Sequence, residues 1–207
     1  MAATSTARRV RKSPAERLDE VAEAARAIAL ADGLGAVTLR AVAARMGVAS
    51  GLVAHYAPSM DDLVADTFAA IVAAELREVE LVIASGATAT DRLRMLLHTV
   101  LDGSRDDIGL VWVQAWAAGA RNDALAAQVR AQMDDWQGVI EREISSGVAA
   151  GEFSDAVAPA SVAWHLLAMI DGLNAHSLVR WGQHPDQTTL VKRSLEALLG
   201  LATGSLG

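Results

Sequence analysis

Apolar side chains recur at three- and four-residue spacing along almost the whole chain, a pattern that predicts amphipathic helices. The first helix is marked at both ends. Ser13-Pro14-Ala15-Glu16 combines a Ser N-cap, a Pro at the first helical position and a Glu three residues after the cap, and Asp32-Gly33 stops the element. Its apolar stripe is Leu18, Val21, Ala22, Ala25, Ile28 and Ala29. Thr38 caps a short helix from Leu39 to Met46, Gly47 breaks it, and Val48-Ala49-Ser50 starts a third helix that runs through Tyr56. Ser59, followed by Asp61 and Asp62, opens a long helix from about Met60 to Ile83. Short Gly, Ser, Asn, Asp or Pro signals then separate helices near 90–103, 106–119, 123–150, 157–182 and 187–202. The expected fold is all-α, with about nine helices and no repeat of fixed period.

Composition agrees. Of 207 residues 52% are hydrophobic, and with one Tyr, two Phe and five Trp the apolar content is mostly Ala, Leu and Val, a bias toward the helix formers Ala and Leu. The absence of Cys excludes disulfides, thiol nucleophiles and thiolate metal sites, and points to a reducing cytoplasm. No apolar run approaches the roughly 18 residues of a membrane span. Neither a cofactor nor a membrane partner is expected.

Charge is divided unevenly. The chain carries a net −7, yet residues 1–60 hold eight basic side chains against five acidic ones, net +3, while residues 61–207 hold ten against twenty, net −10. Arg8, Arg9, Arg11 and Lys12 crowd into five positions with no apolar period to hold them to a core. The expected organisation is a flexible basic arm (1–13), a small three-helix unit (14–58) and a larger acidic helical unit (59–207).

The small unit carries the most specific pattern. Apolar residues at 39, 42, 46, 48, 53 and 56, a small Ala43 and a Gly47 at the turn supply what two steeply crossed helices need: inner apolar contacts, close approach and a left-handed turn residue. The segment reads as a helix-turn-helix whose second helix enters a DNA major groove. Residues 15–68 resemble the DNA-binding domain of the TetR family of transcriptional repressors, through Asp32-Gly33, Val37-Thr38-Leu39-Arg40, Ala43, Met46-Gly47-Val48, Gly51-Leu52-Val53 and Asp61-Asp62-Leu63. Within that family Gly47–Tyr56, with Ile170-Asp171-Gly172-Leu173, is most similar to choline-responsive repressors of glycine betaine synthesis. The resemblance implies a homodimer with two small DNA-binding domains and two larger effector-binding domains. It also implies a pocket inside the larger domain and a four-helix dimer interface from the last two long helices.

The recognition helix offers Ser50, Gly51, Leu52 and His55, with Tyr56 at its end, and no Arg, Lys, Asn or Gln for a bidentate base contact. Ser50 and His55 suit hydrogen bonds to bases or phosphates, Leu52 suits a thymine methyl, and Gly51 permits close backbone approach. The resemblance adds Thr38, Arg40 and Tyr56 as phosphate contacts. Met60 stands where the family usually has a phosphate-binding Lys, a loss that Arg8, Arg9, Arg11 and Lys12 would offset by tracking the DNA backbone or reaching into the minor groove. A merely solubilising arm is the other reading.

All five Trp lie between residues 112 and 181. Trp112, Trp116, Trp136 and Trp164, with Asp171 in an otherwise apolar run and His98 as a polar contact, are the candidate walls of a site for an organic cation. Core or interface packing of the Trp side chains, and a structural Asp171 beside Gly172 at the dimer interface, remain open alternatives at this level. His165 and His176 share a helical face but stand roughly 16 Å apart along it, too far to share a metal. No spacing suggests an enzyme. The expected function is a ligand-responsive, DNA-binding repressor: a dimer on a pseudo-palindromic operator, released by a small-molecule effector. An apolar or acyl effector, or a helical protein-binding adaptor, are the alternatives.

Overall fold

The computed structural model describes residues 12–179 and 187–207. It contains α1 (Pro14–Asp32), α2 (Leu39–Met46), α3 (Ser50–Tyr56), α4 (Met60–Ile83), α5 (Ala89–Leu101), α6 (Asp106–Gly119), α7 (Asp123–Ala149), α8 (Pro159–Ser177) and α9 (Gln187–Leu199), with a 3-10 turn at Leu34–Ala36. No strand occurs among the described residues.

The caps act as the sequence requires. Ser13 Oγ accepts from Glu16 N at 3.2 Å while Glu16 Oε2 accepts from Ser13 N at 2.6 Å, closing both halves of the capping box. Thr38, Ser59, Thr88 and Asn122 each accept one orphan amide at the head of α2, α4, α5 and α7. Gly47 ends α2 in the left-handed conformation at φ 64°, and Val48 N donates back to Ala43 O at 3.0 Å. Ala43, Val42 and Val53 are fully buried where α2 and α3 cross. Leu39, Met46, Val48 and Tyr56 pack around them.

Two expectations are corrected. Leu18 and Ala22 do not join the sealed stripe of α1: Leu18 is 49% exposed, both border an open groove between α1 and α4, and Ala24 is buried instead. The eighth helix ends at Ser177, short of the expected 182, and residues 180–186 lie outside the described residues, Trp181 among them.

The larger unit is organised about α4 and α7, with α8 against α7 and α6 between α7 and α8. Phe68, Val72 and Val79 of α4 and Ile140 and Ile144 of α7 are sealed from solvent, which makes this seam the centre of the core. The carboxylate of Glu152 accepts from Ala89 N and Thr90 N at 3.0 and 2.9 Å, fastening the head of α5 to the turn after α7. Glu196 accepts from Gly204 N and Leu206 N and so folds the C-terminal residues back onto α9.

Candidate functional site

Short, capped helices place the small unit's polar side chains outward. Thr38, Arg40, Gly51 and His55 are exposed, and Ser50, Leu52 and Tyr56 are half-buried, all on the α2–α3 pair. Thr38 uses its hydroxyl to accept from Ala41 N at 3.2 Å, so its cap and any DNA contact involve the same atom. The His55 and Tyr56 rings meet edge to face with centroids 4.9 Å apart. A Cβ built on Gly51 meets nothing within 4 Å, so its small size serves no contact inside the chain. Arg45, also exposed at the end of α2, is a basic neighbour that the motif reading did not single out. Lys12 forms an ion pair with Glu20 of α1, and Arg8, Arg9 and Arg11 lie outside the described residues.

The second feature is a cavity inside the larger unit. Glu75 of α4, Arg105 at the head of α6, Trp112 of α6, Trp136 of α7, and Asp171 and Asn174 of α8 line it, with Val100, Met133, Leu167 and Ile170 as apolar wall. Its volume is about 40 Å³. Trp112 is held by Phe68 on one side, edge to face at 5.0 Å, and by Trp116 on the other at 5.6 Å. Trp136 is 5% exposed and its indole N–H has no partner among the described residues.

The cavity is acidic, and its two carboxyls are largely desolvated. Burial pushes the Glu75 carboxyl up to about 7, against the Arg105 cation and the Trp112 indole N–H, which pull it down; Asp107 and Glu78 add smaller upward contributions. The Asp171 carboxyl is raised to about 6 by burial alone, with no cation among the described residues set against it. Arg105 Nη1 stands 3.7 Å from Glu75 and 3.6 Å from Glu78, and its Nε is buried without an acceptor among the described residues. Glu75, opposed by a loosely held guanidinium, and Asp171 thus place two desolvated acids on an aromatic-walled cavity.

The candidate ligand residues therefore separate. Trp112, Trp136 and Asp171 come together at the cavity. Trp116 stands one turn behind Trp112 and supports it without lining the space. Trp164 is corrected: it is 63% exposed on the outer face of α8, because its neighbours Ala163 and Leu166 take the inward positions. His98 is corrected as well, since Leu96, Leu97 and Val100 occupy the buried face of α5 and leave His98 exposed. Glu75, missed in the sequence, carried a signal: it falls on the Phe68, Val72, Glu75, Val79 stripe, an acid at a core position. Arg105 carried none, because loop position does not tell which way a side chain turns.

Two connections join cavity and small unit. α4 runs from Met60, beside α1, to Glu75 and beyond. On α6, two residues beyond Trp112, Gln114 Oε1 accepts from Gly35 N at 3.0 Å, and a Cβ on Gly33 would meet Gln114 at 2.6 Å. Gly33 has φ 84°, and it is this backbone conformation, rather than the approach of a flexible side-chain end, that requires glycine there.

Comparison with known proteins accords with both features. Residues 21–67 match the bacterial regulatory proteins of the tetR family, and residues 89–200 match the C-terminal domain of BetI-type transcriptional repressors. A search of curated proteins finds no match. Among solved structures, a putative transcriptional regulator from Pseudomonas aeruginosa PAO1 is similar at 20% identity and TM-score 0.75, covering 95% of each chain. A putative regulator from Saccharomonospora viridis, solved in complex with choline, is similar at 22% identity and TM-score 0.74, covering 90% of this chain and 96% of its own. The fatty acid degradation regulator FadR of Bacillus halodurans is similar at 16% identity and TM-score 0.68, covering 92% and 97%. With a DNA-binding helix-turn-helix at its N-terminus and a BetI-type ligand-binding domain behind it, the chain belongs to the TetR family of transcriptional regulators.

Proposed function

We propose that this regulator is a repressor that grips a pseudo-palindromic operator as a homodimer and releases it when a small organic cation enters the α4–α8 cavity. The observation that carries the cation reading is Asp171, a carboxylate on an aromatic-walled cavity with no cation among the described residues set against it. An organic cation held between Asp171 and the Trp112 and Trp136 rings gains a charge partner, and each well-placed ring adds roughly 0.5–2 kcal/mol. The choline complex of the Saccharomonospora viridis protein lends an analogy from the same fold. Two buried acids suit an acyl chain poorly.

In this reading α3 enters the major groove. Ser50, Gly51, Leu52 and His55 face base edges, Thr38, Arg40 and Tyr56 hold phosphates, and Lys12 with Arg8, Arg9 and Arg11 follows the backbone. The dimer forms through α8 and α9, where Trp164, Ala168 and Gly172 make an exposed stripe at four-residue spacing and Leu190 and Leu198 are exposed beside it. Two recognition helices must sit about 34 Å apart to read successive major grooves. A ligand that binds the wrongly spaced form more tightly shifts the population away from DNA.

The test is a thermal-shift panel of choline, betaine aldehyde, polyamines, acyl thioesters and neutral aromatics, followed by operator binding with each hit. Stabilisation by a small cation that also releases operator is expected. Asp171→Asn should weaken that cation at least about tenfold and leave operator binding in place, because it removes a buried carboxylate that would pair with the cation. Stabilisation by acyl thioesters alone would replace the cation reading with the acyl one.

A further inference from the structure

Arg105 stands between two acids of unequal exposure. Glu75 and Glu78 are three residues apart on α4 and thus on one face. The Glu75 side chain is 8% exposed and lines the cavity, while that of Glu78 is 67% exposed. Arg105 Nη1 is nearly equidistant from them, at 3.7 and 3.6 Å. Neither separation is a hydrogen bond, and the buried Nε donor has no acceptor among the described residues, so neither acid locks the guanidinium in place. A small rotation of one side chain carries it from the buried acid to the exposed one with no change of backbone.

We propose that Arg105 is a built-in competitor for the cation site: an organic cation entering the cavity takes over Glu75, and Arg105 transfers to Glu78. The inference rests on the reading of the cavity as a cation site and adds how that site is connected to the rest of the chain. Arg105 immediately precedes Asp106, the first residue of α6, and Gln114 of the same helix meets Gly35 of the DNA-binding unit. Exchange of Arg105 therefore acts on the head of the helix whose body touches the operator-binding unit. Glu78 becomes a regulatory residue, although it does not line the cavity.

A double-mutant cycle tests this on the full-length protein, with choline as probe and tetramethylammonium as a second cation, affinities being read by calorimetry. Arg105→Gln should tighten choline by about five- to tenfold, because a resident competitor is gone. Glu78→Gln should weaken choline about threefold when Arg105 is present, because the displaced guanidinium then has no second partner, and should have no effect in the Arg105→Gln background. Glu75→Gln is an independent background in which the Glu78→Gln effect should also vanish, and it decides the matter if Arg105→Gln fails to fold by circular dichroism. An equal Glu78→Gln effect in all backgrounds, or weaker choline binding in folded Arg105→Gln, overturns the exchange while leaving the cation site standing. Failure of both cations to bind the wild type overturns the cation reading and the exchange together.

Discussion

The side-chain oxygen of Gln114 accepts a hydrogen bond from the backbone N–H of Gly35 at 3.0 Å, across 79 residues of sequence, and ties α6 to the turn that precedes the helix-turn-helix. The contact spans the two units that any effector response must connect. A side chain that holds a backbone amide fixes one helix against a loop with little freedom.

Gln114→Ala should leave the fold intact at a cost of about 1 kcal/mol, the usual net worth of one hydrogen bond. Operator affinity without effector should change little, while the effector concentration that releases DNA should rise several-fold. Fluorescence anisotropy of labelled operator, titrated with effector, measures both. Unchanged release would mean that α4 alone carries the coupling.

Stability should fall as pH rises. The Glu75 carboxyl goes from an ordinary 4.5 to about 7 on folding, and that of Asp171 from 3.8 to about 6, so between these limits the folded chain binds protons that the unfolded chain has released. The contribution of these two groups to the unfolding free energy therefore drops through the window from about pH 4 to 7, by on the order of a few kcal/mol. Urea denaturation at pH 5, 6.5 and 8 checks the slope, and Glu75→Gln should flatten it. The same proton on Asp171 should make a cation bind about tenfold more weakly at pH 5 than at pH 7.5.

Gly51→Glu should abolish operator binding with the dimer intact. Its Cβ meets nothing in the chain, so folding tolerates the side chain, but a carboxylate on the exposed face of α3 would be repelled by phosphates. Size-exclusion chromatography and a mobility-shift assay separate the two effects. Retained operator binding would move the DNA interface away from α3.

Gly147→Ala should destabilise the larger unit by about 1–3 kcal/mol, the range for an overpacked core. A Cβ there would stand 2.1 Å from the Phe153 ring, which is 5% exposed and closes the turn after α7. Thermal unfolding followed by circular dichroism provides the comparison, and an unchanged midpoint would show that Phe153 yields freely.

The small unit was legible in the sequence because its determinants are local. Ser13 with Glu16, Thr38, Gly47 and Ser59 each fix a helix end through atoms a few residues away, and Ala43 with Val42 and Val53 fixes one crossing between helices joined by a short turn. The cavity was legible only in part. Asp171 stood out as an acid in an apolar run, and Trp112 and Trp136 as large aromatic groups, but Trp164 fitted the same description and points outward.

Helices, their caps and the crossing of α2 with α3 could be read from the chain, since they depend on hydrogen bonds and contacts within a turn or two. Which face of α8 looks inward emerged only with the folded molecule, since α8 is apolar around much of its circumference and periodicity cannot rank two apolar faces. It alone brought Glu75, Arg105 and Asp171 to one cavity from three separate segments, and set Gln114 against Gly35. Those relations arise from packing between distant helices, a property of where α4, α6, α7 and α8 meet rather than of any one of them.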